Sequence, residues 1–433
     1  MGHLAIKRSW VIVTSVLLFL LLLPISIFTQ TLQPSQSQPL VFTHVAVIDA
    51  TGAPPKPDMT VIITGDRITN LGRTGKVRIP KGARVIDGVG RFLIPGLWDM
   101  HVHLSYYGET ALPMLVAHGV TGVRDMGGDL TQIDRWRKDI SEGARFGPRI
   151  VRCGPFVDGP KKMDAFRTSI TSVVATEAEA RAIVRSLKQR GVDFIKTHSR
   201  IPRDAYLALA DEARKQRLTV AGHLPPGITA AEASDAGVKS IEHIESLMED
   251  VMYLDRTERD KRIQGTLDEL AGTRGATLYK RFVKNGTWVV PTVITKLKIG
   301  GASFQRMFNP VIGALKRARV GLMAGTDFSF KEGGIRPGAD LHEELALLVQ
   351  AGLTPMEALQ AATRNPAKFL GKLDSLGTIE KGKIADLVLL EANPLEDIRN
   401  SHNVAAVVYG GKLILKSELQ MILNKVEADT KQK

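Results

Sequence analysis

Eight short apolar runs, all but one closing on a polar residue, constrain the fold of this chain more than any other feature. They cover residues 92–103, 122–125, 149–152, 193–196, 219–223, 240–243, 287–291 and 321–327. Helical periodicity fills several of the gaps, as over residues 177–190 and 203–216, where apolar positions recur at three- and four-residue spacing. Strands alternating with helices predict a parallel sheet, and eight such units predict an α/β fold of the (β/α)8 TIM-barrel type. In that architecture functional side chains gather at the C-terminal ends of the strands. Residues 248–284 are longer and more charged than one crossover requires, and read as additional helices.

The polar ends of these runs form a pattern. His101 and His103 close the first run; strand alternation points both imidazoles the same way, so the pair can grip one metal ion. A bare His-x-His equally fits two ordinary half-buried histidines, and the company it keeps decides. Lys196 ends the fourth run, His223 the fifth, His243 the sixth and Asp327 the eighth. Singly these residues read as a capped loop histidine, a snorkelling lysine or a helix N-cap aspartate. Together at strand ends they read as one site. The single cysteine, Cys153, excludes an intrachain disulfide framework and a cysteine-rich zinc site. It reads as a small buried hydrophobe.

The flanks differ from the middle. Residues 40–91 alternate short β-type runs with turns at Gly65-Asp66 and Gly82-Ala83, and residues 385–390 and 404–409 are strand-like, followed by a Gly410-Gly411 turn. Two β-rich ends around an α/β body predict a composite β-sandwich built from both termini. The chain then divides into a leader (1–30), a polar Gln/Ser/Pro linker (31–39), the first part of the sandwich (40–91), the barrel (92–372), the second part of the sandwich (373–416) and a tail (417–433).

The leader carries Lys7 and Arg8 before an apolar run over residues 10–28. That is a secretory signal or a signal anchor. The run is long for a cleaved signal and just long enough to span a bilayer, and cleavage or anchoring stays open. Either version exports the remainder of the chain, to the periplasm or the cell exterior. The net charge of +13 suits anionic lipid or acidic ligands. No basic, aromatic-interleaved stretch accompanies it, so a solvated surface is expected and nucleic-acid binding is not.

The segment Pro95-Gly-Leu-Trp-Asp-Met-His-Val-His-Leu resembles the opening metal motif of the amidohydrolase superfamily, and residues 376–388 resemble its return into the β-sandwich. The resemblance spans residues 40–414, and Gly119-Val-Thr-Gly-Val-Arg-Asp-Met-Gly-Gly is similar to the branch holding imidazolonepropionase-like proteins and Xaa-Pro dipeptidases. It implies two divalent ions, zinc by default for histidine-rich ligation. His101, His103 and Asp327 would hold the more buried ion, and His223 and His243 the outer one. Lys196, carboxylated by CO2, would bridge them, supplying an anion that neutral imidazoles lack. A bridging water acidified to hydroxide would be the nucleophile. Asp327 would orient it and pass its proton to the leaving amine. Imidazolonepropionase and many nucleobase deaminases of the superfamily use one metal without a bridging lysine and are cytoplasmic. Lys196 and the leader therefore favour an exported binuclear hydrolase.

The sequence departs from the dipeptidases after the lysine, where His198 and Arg200 replace a glycine-rich loop. By alternation His198 faces with Lys196 and touches substrate or metal, or else is a loop histidine. Arg200 is the first candidate for gripping a substrate carboxylate, and Arg336, after the eighth run, is the second. His118 and His342 read as structural. The reading is an amidohydrolase cleaving the amide of a small peptide, an N-acyl amino acid or a cyclic amide, with a small molecule as its partner and a homo-oligomer left open. Lactone or phosphotriester hydrolysis on the same metals and a non-catalytic metal-binding surface protein are the rivals.

Overall fold

The computed structural model describes residues 38–160, 169–329 and 334–431. The leader and all but the last two residues of the linker lie outside them. Among the described residues no helix is long and apolar enough to cross a membrane.

Strands from both chain ends meet in one sheet. From the N-terminal side come β1 (Leu40–Val47), β2 (Lys56–Thr64), β3 (Arg67–Arg73), β4 (Arg84–Asp87) and β5 (Phe92–Pro95). The C-terminal side contributes β15 (Leu387–Leu390), β16 (Val404–Tyr409) and β17 (Lys412–Leu415), in the order β17-β16-β15-β5-β1-β2-β3 with β4 beside β1. The join is the antiparallel β5–β15 pair, with Leu93 opposite Leu389 and Pro95 opposite Leu387. Phe42, Val61, Ile63, Leu93, Leu387 and Val408 pack one apolar cluster on it, so neither end can bury its apolar face without the other.

The long opening run does not form one strand. It divides at Gly96 into β5, in the sheet shared by both chain ends, and β6 (Leu97–Val102), in a parallel sheet. A side chain at Gly96 would lie 2.2 Å from Thr121 Oγ1, so only glycine allows the chain to change sheets there. After β6 come β7 (Val120–Asp125) and β8 (Arg149–Arg152), both parallel to it. Then follow β9 (Phe156–Asp158), β10 (Thr171–Val173), β11 (Phe194–Thr197), β12 (Thr219–Gly222), β13 (Ser240–Glu242) and β14 (Trp288–Val290), a second parallel sheet ordered β10-β9-β11-β12-β13-β14. Hydrogen bonds link the two sheets on both sides. Asp193 N donates to Arg152 O at 2.9 Å, placing β8 beside β11. The eighth predicted run is no continuous strand: it bridges to β14 at Leu322 and to β6 at Phe328. Within it Met100 N donates to Ala324 O at 2.9 Å and Asp327 N to His101 O at 2.7 Å.

Helices lie between these strands. Glu177–Gln189 opens with a complete Thr176/Glu179 capping box and buries Ala180, Val184 and Leu187 on one face. The charged 248–284 region is helical, including Arg256–Ala271 and Thr273–Asn285. The predicted tail is also helical, over Lys416–Lys431. Leu419, Ile422 and Leu423 pack it on the core, an i, i+3, i+4 stripe too short to stand out in the sequence.

Candidate metal centre

Four of the six strand-end candidates are histidines, and each has its Nδ1 tied to an oxygen. His101 Nδ1 meets Glu242 Oε2 at 2.8 Å, and His103 Nδ1 the carbonyl of Gly127 at 3.1 Å. His223 Nδ1 meets Ser199 Oγ at 2.9 Å, and His243 Nδ1 meets Thr292 Oγ1 at 2.8 Å. A carboxylate and a carbonyl can only accept, so His101 and His103 carry the proton on Nδ1 and present a lone pair on Nε2. That is how protein contacts prepare an imidazole for a metal.

The Nε2 atoms then converge. His101 and His103 each point theirs at Asp327 Oδ1, 3.4 Å away in both cases. His223 Nε2 faces His243 Nε2 at 2.9 Å, and Lys196 Nζ lies 3.5 Å from His101 Nε2. The His101, His243 and Asp327 ligand atoms fall within 4.8 Å of one another. The donor set is thus imidazoles, one carboxylate and a buried amine, all facing a common space. This chemistry fits divalent metal, zinc among them.

The electrostatics agree. Burial first, then the neighbouring Lys196, depresses His101 to about 4; burial takes His243 to about 3 and His223 well below its ordinary value. All three are neutral near pH 7 and able to ligate. Burial also lowers the Lys196 ammonium. Burial alone would raise Asp327, but His101, His243 and His103 outweigh it and hold the carboxylate below its usual range. His243, Asp327 and Thr292 adopt φ of 66°, 55° and 49°, a left-handed conformation that non-glycine residues hold only where the surroundings impose it.

The other candidates are placed differently. His198 stacks on His223 with ring centroids 4.5 Å apart and on Phe156 at 4.8 Å. Its Nδ1 sits 3.2 Å from Asp158 Oδ2, close enough for an ion pair but off hydrogen-bond alignment. Arg200 is exposed, its backbone amide held by Asp158 Oδ1 at 2.8 Å. Its chain neighbour Ser199 and Tyr253 line the cleft beside the histidines. That cleft measures about 240 Å3 and is lined by Ser199, His223, His243, Glu245, Met252 and Tyr253, among others. Arg336, the second carboxylate candidate, keeps an exposed side chain. Its guanidinium is held by Asp340, with Nη2 2.8 Å from Oδ1, and among the described residues no contact joins it to the cluster.

Sequence reading passed over the residues behind the ligands. Glu242, wholly buried, accepts from His101 Nδ1, from Arg124 Nη2 at 2.7 Å and from Ser240 Oγ at 2.5 Å. Arg124, 1% exposed, lies between the rings of Phe194 and Phe369. Asp99 accepts from Thr326 Oγ1 at 2.6 Å and from His101 N at 3.2 Å, tying both ligand segments together; burial pushes it to about 7. The available signal was a charge inside each apolar strand, in Gly122-Val-Arg-Asp and Ser240-Ile-Glu-His.

Comparison with known proteins agrees. Residues 92–414 match the amidohydrolase family. The chain is 26% identical to the ochratoxinase of Aspergillus niger over 383 residues, covering 74% of this chain and 75% of that one. It is 26% identical to the imidazolonepropionase of Vibrio cholerae over 364 residues, 76% and 86% of the two chains. A crystallised Xaa-Pro dipeptidase with bound methionine superposes with a TM-score of 0.69 at 23% identity, covering 87% of this chain and all of that one. The chain is an enzyme of the amidohydrolase family, a hydrolase of carbon–nitrogen bonds.

Proposed function

We propose that this protein is an exported, metal-dependent amidohydrolase that cleaves the amide of a small peptide, N-acyl amino acid or cyclic amide. The observation that carries it is a cluster of four oxygen-tethered imidazoles, with His101, His103 and His243 around Asp327, Lys196 against His101 and His223 against His243. On this reading the two parallel sheets and the 321–328 segment form one (β/α)8 barrel, and the mixed sheet from both chain ends belongs to a sandwich. His101, His103 and Asp327 would hold one divalent ion and His223 and His243 a second, with Lys196 as the ligand they would share. The metal pair, zinc by default, supplies Lewis-acid activation of water and of the scissile carbonyl.

The remaining work falls to this chain's own residues. Lys196 is 1% exposed, and burial favours its neutral amine. That amine attacks the carbon of CO2 and releases a proton, leaving a carbamate whose two oxygens replace one nitrogen. Asp327 takes the proton of the attacking water and delivers it to the departing nitrogen, as a carboxylate ionised at neutral pH can. Arg200, exposed and next in the chain to Ser199 of the cleft wall, binds a substrate carboxylate through paired hydrogen bonds. Tyr253 donates to Leu224 O at 2.5 Å and so fixes its part of the cleft wall. His198 braces His223 through ring contact and orients the outer pair. The leader delivers the enzyme across a membrane.

The test is a library of dipeptides, N-acyl amino acids and cyclic amides assayed with metal-reconstituted protein. Turnover confined to lactones or phosphotriesters would reassign the bond cleaved, and a metal-loaded protein inert to every class would overturn the reading.

A further inference from the structure

Three histidines outside this centre also converge. His118 caps the helix Ala111–Ala117, His342 lies in the helix Ala339–Gln350, and His402 ends the short turn Ile398–His402 between β15 and β16. Sequence reading treated the first two as unrelated structural residues. In the fold, ring centroids of His342 and His402 are 5.1 Å apart at 90°, and those of His118 and His402 are 5.8 Å apart. One ring nitrogen of each lies within 4.8 Å of one from each of the others.

The hydrogen bonds settle which nitrogen of His342 is free to ligate. Its Nε2 is 3.0 Å from the backbone carbonyl of His118, which only accepts, so Nε2 carries the proton. Nδ1 therefore bears the lone pair, and it lies 2.9 Å from Ser401 Oγ, a hydroxyl free to rotate. A backbone carbonyl fixing the tautomer of a buried imidazole is the same device seen at His103. The two inner histidines are uncharged: burial, then His402, takes His118 to about 4 and His342 to about 3. The nearest acid, Asp340, is committed to Arg336 and to Lys298, 3.5 Å away. His402 is exposed, which leaves one side of the trio open to water.

We propose that His118, His342 and His402 form a further metal site for a divalent transition metal, distinct from the Lys196 centre. A neutral three-imidazole set selects Zn2+, Cu2+ or Ni2+ over Ca2+ or Mg2+, which require oxygen ligands. Water completes the coordination on the His402 side. The bound ion staples the turn between two C-terminal strands to two helices of the body, joining parts of the chain far apart in sequence.

The experiment compares the full-length wild type with His402→Ala and His118→Ala, each stripped of metal and dialysed to equilibrium against Zn2+. His402 is exposed, so its removal leaves the fold intact, and neither residue belongs to the hydrolytic centre. Wild type should hold one more equivalent of Zn2+ than either variant, and its melting temperature should rise further with added Zn2+. In the Cu2+-loaded wild type, paramagnetic resonance should show a second imidazole-coupled species, beyond that of the Lys196 centre, that both variants lack. Equal Zn2+ uptake by all three proteins would overturn the proposal, and so would loss of the extra equivalent in only one variant. Because the readout is a difference between wild type and variants, it holds whatever the Lys196 centre contains.

Discussion

Replacing Glu242 by glutamine tests how the centre is held together. Glu242 is wholly buried and receives three donors: the His101 ring, the Arg124 guanidinium and the Ser240 hydroxyl. Glutamine keeps the shape but offers one acceptor oxygen and a donor in place of the second oxygen. If the oxygen stays with His101, the amide group faces Arg124 and the buried guanidinium loses its counter-charge. If the oxygen turns to Arg124, the amide faces His101 Nδ1 and drives the ring proton to Nε2, the atom turned toward Asp327. Removing one partner of a buried ion pair costs about 3–5 kcal/mol. In a chain of this length that is a fall of roughly 3–6 °C in melting temperature. Losing the contact that orients a ligand should weaken metal binding about 10–100-fold.

Two assays on Glu242→Gln separate these effects: calorimetry of the metal-free protein and competition for metal against a chelator. A double variant, Arg124→Met with Glu242→Leu, sharpens the comparison. Removing both charges should recover most of the stability, while metal affinity should stay low because His101 has lost its orienting oxygen. If metal affinity is unchanged in Glu242→Gln, the carboxylate does not orient His101 and the reasoning fails. Recovered affinity in the double variant would refute it equally.

Lys196→Ala should reduce the metal bound by the hydrolytic centre from two equivalents to one or fewer by elemental analysis, and a full complement would remove lysine from the ligand set. Arg200→Met should lower turnover of carboxylate-bearing substrates by about tenfold or more, near 1.4 kcal/mol. Neutral amides should hardly change; equal losses on both would mean that Arg200 only shapes its loop. A chain beginning at Gln36 should stay soluble and keep its metals and activity, because Gln38–Lys433 is a compact unit by itself. Loss of metal on that truncation, with the full chain active in detergent, would give the leader a role beyond export.

The sequence by itself was enough for the kind of residue at each strand end and for the alternation that orders them. His101, His103, Lys196, His223, His243 and Asp327 stood out because a strand's period of two and a polar residue closing an apolar run are properties of local chain order. It could not show where the long opening run changes sheets, because the need for Gly96 comes from Thr121, a neighbour on another strand. Nor could it show the eighth segment as two isolated bridges, since its partners, Val289 and Val102, lie far off in the chain. The Arg336–Asp340 ion pair likewise emerged only in the fold. Glu242 and Arg124 were visible only as oddly placed charges, and burying both together made them a pair. The same holds for His118, His342 and His402. No local pattern relates residues so widely separated, and only packing, which is indifferent to sequence distance, brought their rings together.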